Sequence, residues 1–166
     1  MPPPASAGLS GWRWLPLAAL VIVADQAAKS WIAGHFQLLE RVQLLPVLDF
    51  VSTYNPGAAF SLLSHASGWQ RWVLVALALG VSAVLIVWLR RLRAATQALL
   101  ACGLSLIVGG ALGNMIDRLR LGHVIDFIDV HWGPHHFPAF NLADSAITLG
   151  AAVLLFDAWR EARAAK

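Results

Sequence analysis

Four apolar runs, at 12–33, 69–89, 97–117 and 141–159, are each long enough to cross a bilayer, and together they leave the chain little else. A transmembrane helix needs about 20 residues, so four of them take up about half of a chain this size. Of the 166 residues 58% are hydrophobic and only 13% are charged, about half the charged share of a soluble domain. So much apolar surface requires lipid as part of the solvent. The expectation is an all-α membrane bundle of four transmembrane helices forming one integral membrane domain over residues 1–166. Outer loops are expected at 34–68 and 118–140, and residues 1–11, MPPPASAGLSG, read as a disordered tail. With no room for a separate soluble domain, any chemistry must sit on the helices or their loops.

The first run resembles a signal peptide. No small-x-small cleavage site follows it, however, and Asp25, Gln26 and Lys29 interrupt its outer half, so a retained helix is expected. Short basic loops stay cytoplasmic, and Arg90, Arg91 and Arg93 lie between the second and third runs. With four spans both termini then fall on that side too, where Arg13, Arg160, Arg163 and Lys166 lie. Seven of the twelve basic residues thus share one face, giving an N-in/C-in topology. Trp12, Trp31, Trp69, Trp72, Trp88 and Trp159 near the span ends suit an interfacial aromatic belt. The net charge of +3 follows this topology and implies no nucleic-acid partner. The single cysteine, Cys102, excludes an internal disulfide and lies in an apolar run as a packing residue.

The outer loops are unlike plain connectors. RVQLLPVLDFVSTYNPGAAF, within 34–68, alternates β-branched and aromatic residues with polar ones, which predicts short strands at the membrane surface. The second loop, LRLGHVIDFIDVHWGPHHFPAF, is apolar, aromatic and acidic together. Its His131, His135 and His136 have no matching second cluster, and no metal site is expected.

Polar groups at bilayer depth cost several kcal/mol each unless they are paired or wetted. Here they fall in five segments, all at or near the outer face: Asp25 with Gln26 and Lys29; Asn55 with 57–61; Gly113 and Asn114 with Asp117 and Arg118; Asp126; and Asn141 with Asp144. Helical spacing places Asn114, Asp117 and Arg118 on one face, and Asn141 and Asp144 on another. Asp126 follows Arg118 by eight residues, close enough for a short return loop to bring it over the same helix end. Two carboxylates, Asp126 and Asp144, would then converge. Such a pair shares one proton, so that one acid activates water while the other polarises a carbonyl.

Each segment also has a plain structural reading. Asp144 suits an N-cap, and Asp126 a solvated loop acid. Asp117 with Arg118 and Asp25 with Lys29 suit ion pairs. Gly109 and Gly113 form a GxxxG packing motif, and Asn-Pro-Gly at 55–57 is a turn signal. Asp129 is a rival acid that spacing alone does not exclude. A small transporter or channel subunit with an acidic proton relay is the alternative function. It predicts polar groups throughout the bilayer depth rather than at one face.

DQAAK (25–29), NPGAAFS (55–61), GGALGNMIDR (109–118), VIDF (124–127) and FNLAD (140–144) resemble, in order, the signature blocks of the lipoprotein signal peptidases, the signal peptidase II family. Ala28 stands where that family often has Thr. The resemblance implies a multi-pass aspartyl endopeptidase of the bacterial inner membrane, working near the periplasmic face. It would cleave diacylglyceryl-modified prolipoproteins just before the lipidated cysteine. It implies Asp126 and Asp144 as the catalytic dyad, with Asn114, Arg118 and Asn141 positioning substrate or orienting the dyad. Asp25, Lys29, Asn55 and Asp117 would support the site, and Gly57, with Ala58 and Ala59, would let a loop approach the substrate backbone closely. A small extracytoplasmic β-cradle and a short helix are implied as well. The expected partners are the prolipoproteins and membrane lipids, with the enzyme acting as a monomer and using no cofactor.

Overall fold

A computed structural model describes residues 10–57, 68–94 and 96–164. Four helices, α1 (Leu15–His35), α2 (Trp69–Arg91), α3 (Ala98–Leu121) and α4 (Leu142–Ala164), are long and apolar enough to cross a membrane. A 3-10 turn, Gly11–Trp14, precedes α1, with Pro16 in the first turn of the helix, where its missing N–H is no loss. Ser10 and Gly11, which composition assigned to the tail, are pinned in place. Ser10 Oγ donates to Arg90 O at 3.0 Å, and Gly11 N–H donates to Leu92 O at 3.0 Å. Residues 1–9 lie outside the described residues.

α3 is the hub, packing on α1, α2 and α4 and burying far more of its length than they do. Glycine makes this possible. A Cβ on Gly150 would lie 2.7 Å from the Gly103 carbonyl oxygen, and one on Gly110 would strike the Ala143 carbonyl, so α3 and α4 touch backbone to backbone. Gly109 faces the other way, onto Ala18 and Val21 of α1. Where Arg90–Arg93 lie, Leu89, Leu92, Ala101 and Leu104 close an apolar core.

At the opposite end both long loops contribute to one sheet. β1 (Arg41–Leu45), β2 (Leu48–Asn55), β3 (Val124–Trp132) and β4 (His135–His136) pair antiparallel in that order. Strands were expected only in the first loop. The second loop's apolar run pairs with β2 instead of wrapping back as irregular chain, and it carries Asp126 opposite Thr53. Ile125 and Phe127 of β3 pack on Ile32 of α1 and anchor the sheet to the bundle. α3 continues through Leu121, past the expected 117, and stops at Gly122, whose φ of 85° is a left-handed cap. α4 likewise continues to Ala164. No fifth α-helix occurs among the described residues, and 58–67 of the first outer loop lie outside them.

Candidate active site

The sheet end of the bundle gathers the predicted polar residues into one layer. Asn141 caps α4, its Oδ1 accepting the Asp144 N–H at 2.9 Å, while Asp144 Oδ2 accepts the Asn141 N–H at 3.3 Å. The cap is therefore Asn141, and Asp144, in the first turn, answers it as in a capping box. With its oxygen committed to the helix, the Asn141 amide must present Nδ2 elsewhere. It donates to Asp126 Oδ1 at 2.6 Å. Asn55, at the end of β2, donates to the other oxygen of Asp126 at 3.1 Å. Asn114 of α3 donates to Asp144 Oδ1 at 2.8 Å. One strand acid and one helix acid thus meet across a ring of amides.

Below them Lys29 is almost fully buried and faces three oxygens. It pairs with Asp25 at 2.8 Å and Asp117 at 2.7 Å, and it donates to Asn114 Oδ1 at 2.8 Å. Asp25 and Lys29 form the expected i,i+4 pair, but Asp25 also reaches α4 and accepts the Ala143 N–H at 2.9 Å. Gly113 leaves room for that carboxylate, since a Cβ there would lie 2.9 Å from it. Asp117 does not pair with its neighbour Arg118. It faces Lys29 and accepts from Gln26 Nε2 at 2.7 Å. Arg118 reaches outward, donating to Gly57 O at 2.8 Å and Asn114 O at 3.2 Å. Gly57 N–H closes the Asn-Pro-Gly turn on Asn55 Oδ1 at 3.0 Å. Ala58 and Ala59 lie outside the described residues.

Asp126, 3% exposed, is no solvated loop acid. Burial, and then the charge of Asp144, push its carboxyl up to about 7, with the Asn55 and Asn141 amides pulling the other way. Together the two acids can hold one proton between them near neutrality, the state needed to activate water and polarise a carbonyl at once.

Two features escaped the sequence. Gln26 joins α1 to α3 through Asp117 and the Gly113 carbonyl, and only its place beside Asp25 hinted at this. A second acid cluster spans all four strands. Arg41 pairs with both Asp49, at 3.1 Å, and Asp129, while His131 meets Asp49 at 3.2 Å and His136 meets Asp129 at 2.9 Å. No local spacing links those positions. Among the described residues no group of three or more His, Cys, Asp or Glu side chains could hold a metal ion.

Residues 17–160 match the family model described as signal peptidase (SPase) II. The lipoprotein signal peptidase of Shewanella oneidensis is 50% identical over 150 residues, which cover 90% of this chain and 88% of the relative. That of Shewanella halifaxensis is 51% identical over the same shares. A solved bacterial membrane enzyme structure, at 2.3 Å resolution, superposes with a TM-score of 0.82 at 28% identity, covering 93% of this chain and 92% of the other. A second, at 1.9 Å, gives 0.75 at 29% identity, covering 87% and 91%. With the family model matching most of its length and relatives at half identity, the chain belongs to the signal peptidase II family of aspartic peptidases.

Proposed function

We propose that this peptidase removes the signal peptide of diacylglyceryl-modified prolipoproteins immediately before the lipidated cysteine, with Asp126 and Asp144 as its catalytic dyad. The observation that carries the assignment is their convergence from β3 and α4 across shared amides. One carboxylate takes a proton from water, the hydroxide adds to the scissile carbonyl, and the other carboxyl donates its proton to the carbonyl oxygen. The chemistry requires no cofactor. Asn141, Asn114 and Asn55 orient the acids, and Asp25, Lys29 and Asp117 hold α1, α3 and α4 in register beneath them. Arg118 Nε is buried without a partner among the described residues, which suits a substrate carbonyl.

The basic residues favour N-in/C-in insertion in the inner membrane, with the sheet as an extracytoplasmic cradle at the outer face. A diacylglyceryl anchor holds its cysteine at that interface, so acid and water must meet it there. The chain acts as a monomer in this scheme. A proton relay is disfavoured because each span runs without a charged residue from this layer to the basic end: none lies between Arg13 and Asp25, Arg71 and Arg90, Arg93 and Asp117, or Asp144 and Asp157.

The test is cleavage of a diacylglycerated prolipoprotein in proteoliposomes by wild type, Asp126→Asn and Asp144→Asn. Both variants should be inactive, and full activity in either, if folded, removes the dyad. Equal cleavage of an unlipidated substrate would remove the substrate class.

A further inference from the structure

We propose that the dyad is polarised by its surroundings: Asp144 is the ionised base, Asp126 holds the shared proton, and Lys29 fixes this polarity as a positioning residue acting through Asn114. The inference rests on the dyad proposed above and assigns the roles within it.

An ammonium only donates. Lys29 Nζ against Asn114 Oδ1, at 2.8 Å, therefore fixes which way that amide points, and its Nδ2 must face Asp144 Oδ1. Asp144 receives a donor polarised by a buried cation. Its other oxygen lies at the N-terminus of α4, where backbone N–H groups and the helix dipole favour negative charge. Asp126 has neither advantage. It sits on a strand, is 3% exposed, and among the described residues its hydrogen bonds come from neutral amides, those of Asn141 and Asn55. Among the described residues the charged groups around the pair are Asp25 and Lys29 from α1 and Asp117 and Arg118 from α3. Lys29 is nearly matched by the two carboxylates it touches. What it transmits upward is chiefly the orientation and polarisation of Asn114.

The reaction then runs in one direction. Water gives a proton to Asp144, its oxygen bonds to the scissile carbon, and the Asp126 proton passes to the carbonyl oxygen, leaving a neutral gem-diol and an ionised Asp126. On collapse Asp144 protonates the cysteine nitrogen as the C–N bond breaks, and a diol hydroxyl returns its proton to Asp126. The products are a carboxyl-terminated signal peptide and a free amine, and both acids are restored.

Carboxyl-carbon NMR of the full chain, labelled at the aspartate side-chain carbon in lipid nanodiscs near pH 6, reads the proton directly. A protonated-carboxyl signal should survive in Asp144→Asn and vanish in Asp126→Asn. The reverse pattern, loss in both, or survival in both overturns the assignment. Cleavage assays judge the dyad separately, because retained activity in either variant would sink the dyad whatever the spectra show. For Lys29, Lys29→Met should lower kcat about tenfold or more while KM changes little. It should also move the acid-side limb of the kcat profile about one pH unit toward neutrality. Asn114→Ser, which keeps Lys29 between Asp25 and Asp117, should move the limb likewise. A limb that stays in place in the folded Asn114→Ser variant overturns the relay.

Discussion

Asp126 and Asp129 are three residues apart on one strand, each 3% exposed, and yet they are different chemical objects. Asp129 faces the Arg41 guanidinium and His136, and its cross-strand neighbour Asp49 shares the same arginine. Burial pushes Asp49 up, but hydrogen bonds from Arg41 and His131 outweigh it and hold the carboxyl below its ordinary value. Asp126 meets amides and a second acid, and it rises to about 7. Burial alone therefore does not make an acid reactive. A cation beside a buried acid favours its ionised form, as at Asp49, whereas Asp126, held by neutral amides and facing a like charge, stays able to gain and lose a proton near neutrality.

The largest expected effect separates the two by activity. Asp126→Asn should lose at least about 10³-fold in kcat, and Asp129→Asn less than about tenfold. Comparable losses, measured on the same lipidated substrate, would erase the distinction. Next is pH. Burial and Asp144 push the Asp126 carboxyl up to about 7, and in the proposed reaction its proton passes to the substrate, so kcat should fall about tenfold per pH unit above 7. Asp129→Asn should leave that limb where it is, and a limb that moves with Asp129 would place the titrating group in the wrong cluster. Smaller again is Arg41→Ala, which strands Asp49 and Asp129 without their shared cation. Arg41 is 42% exposed at its side chain, so water softens the loss to about 1–2 kcal/mol. Hydrogen exchange should quicken across β1–β3 while α3 and α4 stay protected.

How far the sequence could anticipate this depended on the range of the interaction. The spans follow from apolar run length, and the grouping of Asn114 with Asp117 follows from helical spacing, since both turn inward at the end of α3. Asp25 with Lys29 was legible as an i,i+4 pair. Asp25 accepting the Ala143 N–H was not, because the partners are 118 residues apart and nothing local marks them. Spacing paired Asp117 with Arg118, but buried Lys29 is the stronger attraction and leaves the arginine to reach Gly57. Asp126 was expected on a return loop and lies on a strand, because the pattern of β3 becomes a strand only once β2 is available as its partner. The Arg41 cluster needs four strands before any two of its members meet.

The two acids should also differ in what they do to stability, with opposite signs. A carboxyl whose pKa is raised by folding favours the native state least where it must be ionised. Stability falls as pH rises from the unfolded value near 4 to about 7, and the deficit is complete above that. Asp126→Asn removes the buried charge. It also leaves an amide between the Asn55 and Asn141 amides, and one of those contacts becomes donor against donor. The net gain should be small, about 2–4 °C in Tm at pH 8, and absent at pH 4, where Asp126 is neutral. Asp129→Asn removes the acceptor of a cation and should lower Tm at pH 8. A fall in Tm for Asp126→Asn at pH 8 matching that of Asp129→Asn would mean that Asp126 is held as a structural anion, and the contrast between the two acids would fail.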